Sequence, residues 1–158
     1  MSKRPEILHD HDAFRDFFRE LDEPADRVTV FTYMVGRNAP LDTFWRRLAK
    51  HNHEVYCGYS RDLRIEAHSR CVDLVMSFPL NVYLLPNCHS KVWSIYRNKT
   101  TIHYVGSYNL LPTHSSQTMV KLHHQAVVIP TILREKVTFN GNAVFAGVPF
   151  SSKATIPA

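Results

Sequence analysis

The chain has 158 residues, 44% of them apolar, which is enough for one domain with a real core and unlike a disordered chain. Lys and Arg outnumber Asp and Glu by 19 to 14, a net charge of +5; the excess favours anionic partners such as nucleic acid without establishing one. Three cysteines with no C-x-x-C argue against a disulfide scaffold or a zinc ribbon, no apolar run is long enough for a membrane, and the first residues carry no signal-peptide core, so a reduced, soluble, cytoplasmic protein is expected.

In chain order, residues 7–22 read as a helix, with Phe14, Phe17, Phe18 and Leu21 at i, i+3, i+4 and i+7. Val28 to Val35 is a β-branched and aromatic run that fits a buried strand. Asn38-Ala39-Pro40 opens a second helix with the stripe Leu41, Phe44, Trp45 and Leu48, and residues 54–59 form the next strand. Strand, helix, strand predicts a parallel unit. Residues 61–77 fit more than one state, with helix preferred, and 80–85 is a third strand. Residues 91–96 and 101–105 flank Arg97-Asn98-Lys99 as a hairpin. Residues 115–125 read as a helix leading into a buried strand at 126–129, and 143–150 is a last apolar stretch. The expected class is a single α/β domain over residues 1–150, a mixed sheet sandwiched by helices, with 151–158 as a flexible tail.

The chemistry is carried by His89-Ser90-Lys91 and Gly106-Ser107-Tyr108-Asn109. A His and a Lys two apart on a strand share a face. The two ends of a hairpin lie side by side, so both strings meet at one edge of the sheet. There they offer an imidazole, a cation, a hydroxyl and an amide, and Gly106 lets a backbone or substrate approach closely. An imidazole is a competent nucleophile, and phosphoryl oxygens need fixed donors.

H-x-K followed by G-S-x-N resembles the phospholipase D superfamily, and residues 28–130 resemble one superfamily half. The resemblance makes His89 the nucleophile that forms a phosphohistidine, Lys91 the group that steadies phosphate charge, and Ser107 and Asn109 the residues that bind and orient the phosphate. It implies a metal-independent reaction with no cofactor. Superfamily reactions use two histidines, and this chain has one H-x-K. It is therefore similar to the single-motif nucleases and the related restriction-endonuclease catalytic domains, which place the site at a homodimer two-fold. The full motif has an Asp where Tyr96 stands. It also has a Glu just before the strand after the motif, and His124 is the residue placed there. Gly106, His124, Arg46 and Arg47 are the remaining substrate-binding candidates, the two arginines as contacts to a phosphate backbone or as complements to the helix dipole. His9-Asp10-His11-Asp12, His51-Asn52-His53 and Cys88 have bland readings as a solvated N-terminus, a helix end and a packed or reactive thiol.

The expected function is a homodimeric endonuclease without a metal, acting on DNA before RNA, with no membrane partner. The alternatives are a non-catalytic nucleic-acid-binding module that keeps the phosphate pocket, and a phospholipid hydrolase or transferase. Nucleic-acid type, strandedness, sequence preference and pathway are open at this stage.

Overall fold

A computed structural model describes residues 3–110, 112, 116–124 and 149–150. The elements in order are β1 (Glu6–His9), α1 (His11–Glu20), β2 (Arg27–Tyr33), α2 (Ala39–Leu48), β3 (His53–Tyr59), a 3-10 turn (Arg61–Leu63), α3 (Arg64–Ser77), β4 (Val82–Pro86), β5 (Val92–Arg97), β6 (Thr100–Gly106), β7 (Thr118–His124) and β8 (Pro149–Phe150). Among the described residues the strands form one sheet of order β1-β7-β6-β5-β2-β3-β4-β8. Strands β2, β3 and β4 are parallel, and the other neighbours are antiparallel. This is the expected α/β class with a mixed sheet. No helix among the described residues is long and apolar enough to cross a membrane.

The alternation of each strand sorts its side chains between two faces. Val28, Val30, Val55, Cys57, Trp93, Ile95 and Tyr104 join Ala13, Phe17, Phe44, Trp45, Ala67, Cys71 and Leu74 in one core. The helices α1, α2 and α3 therefore share one face. Phe31, Tyr56, Leu85, Cys88 and Val92 form a smaller cluster on the other. There Phe31, Tyr56 and Tyr83 stack across three neighbouring strands, with centroids 4.5 and 5.0 Å apart. Each fully buried side chain of this size contributes on the order of 1.5–3 kcal/mol. Helix α2 begins as its sequence requires: Asn38 Oδ1 accepts the Leu41 N–H at 2.9 Å, with Pro40 in the first turn. The hairpin turns on Asn98 and Lys99 with φ 51 and 61, the two left-handed residues of a tight connection.

Two expected elements are corrected. Residues 7–22 are not one helix: Glu6–His9 pair antiparallel with β7, and Asp10 at φ 50 breaks the chain before α1. The open edge of β7 supplies hydrogen-bond partners that helical turns there would have had to replace. Residues 118–124 are strand, not helix, because they pair with β6 on one side and β1 on the other. The strand expected at 126–129 and the tail at 151–158 lie outside the described residues, as does all of 143–150 except Pro149–Phe150.

Candidate active site

The carboxyl ends of β2, β3 and β4 share one edge of the sheet with the start of β5 and the end of β6. His89 and Lys91 lie in the irregular segment just before β5, with His89 exposed and Lys91 half-buried. That segment is held close: Asn87, at φ 57, donates its N–H to the Tyr59 carbonyl at 2.7 Å, and Cys88 is buried against Phe31 and its neighbours.

Gly106-Ser107-Tyr108-Asn109 leaves β6 and crosses this edge. The Gly106 N–H donates to the Lys91 carbonyl at 3.2 Å. Ser107 turns toward β7: its Oγ accepts the Thr118 N–H at 3.0 Å and donates to the Thr118 carbonyl at 3.3 Å. Tyr108 is buried against Trp93 and Phe14. Asn109 reaches β2, where its Oδ1 accepts the Tyr33 N–H at 3.0 Å. The crossing is pinned just beyond, where the Leu110 N–H donates to Thr32 Oγ1 at 2.9 Å. With Asn109 Oδ1 so engaged, the amide presents its Nδ2 hydrogens as the group that can meet an anion. The tight passage at Gly106 explains the glycine: a Cβ there would stand 2.1 Å from the Thr118 carbonyl oxygen.

One residue links these groups. The Tyr33 ring stacks on the His89 imidazole with centroids 4.4 Å apart and planes 18° apart, and Lys91 Nζ is 5.6 Å from the same ring's centroid. His89, Lys91 and Asn109 therefore gather around the end of β2, while Ser107 holds β7. Such a cluster can present an imidazole nitrogen, a cation and amide donors to a phosphodiester.

No protein-family model matches the sequence, and no curated protein matches it either. Solved structures do. Nuc, a phospholipase D family member from Salmonella typhimurium, superposes with a TM-score of 0.60 at 12% identity, over 94% of this chain and 100% of its own. NucT from Helicobacter pylori superposes with a TM-score of 0.60 at 15% identity, over 93% and 100%. The chain has the phospholipase D fold. Part of a larger protein shares it: polyphosphate kinase from Porphyromonas gingivalis matches with a TM-score of 0.52 at 13% identity, over 75% of this chain and 23% of that one.

Within the phospholipase D fold, several expected residues lie elsewhere. His124 is at the far end of β7, opposite Thr101, whereas the site end of β7 pairs Met119 with Gly106. Five residues of strand make that about 17 Å. Its ring lies 5.3 Å from His103 on the second face. The first described strand after the motif starts at Thr118 and is preceded by Gln117, whose backbone pairs with Asp10; the strand expected at 126–129, before which His124 was placed, lies outside the described residues. Tyr96, in place of the motif Asp, is buried opposite Arg27 and Thr101 at the end of β5 remote from His89. Arg46 and Arg47 are remote as well. Helix α2 ends beside the start of β2, where the Asn52 carbonyl accepts the Val28 N–H. Arg47 pairs with Asp22 and lies 3.9 Å over Phe18, and Arg46 lies 5.7 Å over Phe78. Both arginines stand in the last turn of α2, away from the cluster around His89.

Sequence reasoning missed Tyr33, Gly58 and Thr118. Tyr33 looked like one more residue inside the buried run Val28 to Val35. Only the alternation of β2, which puts it on the face of Phe31, hinted at a separate role.

Proposed function

We propose that this chain is a phosphodiesterase that cleaves nucleic acid, DNA before RNA, through a phosphohistidine on His89, at a site completed by a second copy of the chain. The reading is carried by one observation: His89, Lys91 and Asn109 converge on the end of β2 in a chain with the phospholipase D fold. The net charge of +5 favours a polyanionic substrate.

In the proposed first step a His89 ring nitrogen attacks phosphorus. The N–P bond forms as the P–O bond to the leaving group breaks. The leaving oxygen takes a proton from His89 of the partner subunit. Lys91 Nζ and Asn109 Nδ2 offset the charge on the equatorial oxygens. In the second step water attacks the same phosphorus, gives its proton to the imidazole of the partner subunit, and releases phosphate monoester and free His89. Charge stabilisation comes from side chains of the chain itself, so cleavage is expected to persist in excess EDTA.

The test is nicking of supercoiled plasmid in EDTA by the wild type and His89→Ala, with sedimentation velocity on the same samples. Cleavage lost in the variant, together with a dimer, is the expected outcome. DNA binding that weakens with salt and no scission by the wild type would instead make this a binding module.

A further inference from the structure

His89 is exposed and stands in irregular backbone, so sheet pairing leaves its ring free to turn about two side-chain torsions, the second of them broad. A nucleophilic imidazole has to aim one nitrogen at phosphorus with the leaving oxygen opposite. Something else must set that plane, and the ring in contact with it is Tyr33.

Tyr33 is itself well anchored. Its backbone pairs with Gly58 at the end of β3, and its hydroxyl donates to Ser60 Oγ at 3.1 Å. Each of its parts acts on a different group. The ring face limits the His89 imidazole to a parallel plane. The same π system attracts the Lys91 ammonium and keeps it beside the imidazole. The backbone N–H fixes which end of the Asn109 amide faces outward.

We propose that Tyr33 is the positioning residue of this site, a rigid aromatic platform that sets the attack plane of His89 and the placement of the Lys91 cation. The proposal rests on the phosphodiesterase reading. It predicts that the ring matters more than the hydroxyl. Tyr33→Phe keeps the platform, whereas Tyr33→Leu keeps the strand, the bulk and the backbone N–H to Asn109 and removes the platform.

The experiment compares wild type, Tyr33→Phe and Tyr33→Leu on a chromogenic phosphodiester in EDTA, with kcat and KM separated. Alongside it, the ring C–H resonances of His89 are recorded, identified by their loss in His89→Ala. The expected result is kcat within about threefold of wild type for Phe and a loss of roughly 10- to 100-fold for Leu, with KM little changed. The His89 ring protons, shielded by the stacked ring, should move downfield in Tyr33→Leu and stay in place in Tyr33→Phe. Wild-type kcat in Tyr33→Leu, or equal losses in Leu and Phe, overturns the proposal. The spectra answer separately from activity. If the wild type proves inactive, the phosphodiesterase reading fails, but a Leu-specific shift still upholds the platform. Identical His89 shifts in all three proteins reject it whatever the activity.

Discussion

Gly58→Ala is a small change with a large expected consequence. Gly58 sits near the end of β3, on the face that carries Glu54 and Tyr56, and the Cys88 carbonyl lies directly over it. A Cβ built there would stand 1.7 Å from the Cys88 oxygen and 2.7 Å from its carbonyl carbon. Both obstacles are backbone, so no rotamer change relieves them. Reaching even a 3.0 Å contact requires a retreat of about 1.3 Å. Cys88 cannot absorb this alone, because Asn87 is tied to the Tyr59 carbonyl on one side and His89 follows on the other. Overpacking of this kind costs about 1–3 kcal/mol, which lowers Tm by roughly 2–12 °C for a chain of this size. The displaced imidazole should lose about 100-fold in kcat, the usual consequence of a misplacement near 1 Å. Thermal unfolding by circular dichroism reads the first effect. Plasmid nicking at a temperature where the variant is folded reads the second. A variant that melts and nicks like wild type refutes the packing argument, and a lowered Tm with full activity refutes the mechanical link from Gly58 to His89.

Asp16 is pulled up by burial, but its pairing with Lys121 and the Tyr104 hydroxyl outweighs this and holds it below the usual carboxylate range. A depressed carboxyl stabilises above its unfolded value near 3.8 and loses that contribution as pH falls through the folded value. Asp16→Asn should therefore cost about 1–3 kcal/mol in urea unfolding at pH 7, with the gap closing below about pH 4. Burial lowers the pKa of His53, whose Nδ1–H donates to the His51 carbonyl while Nε2 accepts the Asn81 N–H. Its contribution is full above 6.5 and falls away as pH drops from there toward the folded value. His53→Gln should flatten the stability loss below about pH 6.5 in the same assay. At the site, Asn109→Ala should reduce nicking more than Ser107→Ala, because the Ser107 hydroxyl is engaged with Thr118. A larger loss from Ser107→Ala would mean that its hydroxyl leaves Thr118 to meet the phosphate.

The central sheet was legible because its signals are local. The β-branched run of β2, the Asn38 cap and the Asn98-Lys99 turn each specify their own conformation. The edges were not, since β1 and β7 become strands through pairing. Residues 118–124 have no pattern that separates strand from helix until β6 and β1 flank them. The convergence of His89, Lys91 and Asn109 was legible in their spacing. His124, Arg46 and Arg47 lie away from His89 because position along a strand or helix decides which edge a side chain reaches, and His124 falls at the end of a strand that starts at Thr118. Tyr33 escaped because a buried-strand residue and an active-site platform look alike in one dimension.

The crossing of residues 107–110 has a consequence for how the chain matures. The parallel strands β2, β3 and β4 come before the hairpin in the sequence, and the Asn109–Tyr33 bond spans 76 residues. Contacts of such long range form late, since the loop they close must first be ordered. A nascent chain that has folded its parallel half therefore holds Tyr33 without His89, and His89 without Asn109 until β6 has docked and the crossing has closed. On the proposed function, competence then arrives only once this long-range contact has closed, and a chain released before that point holds the nucleophile without the amide that would meet its substrate.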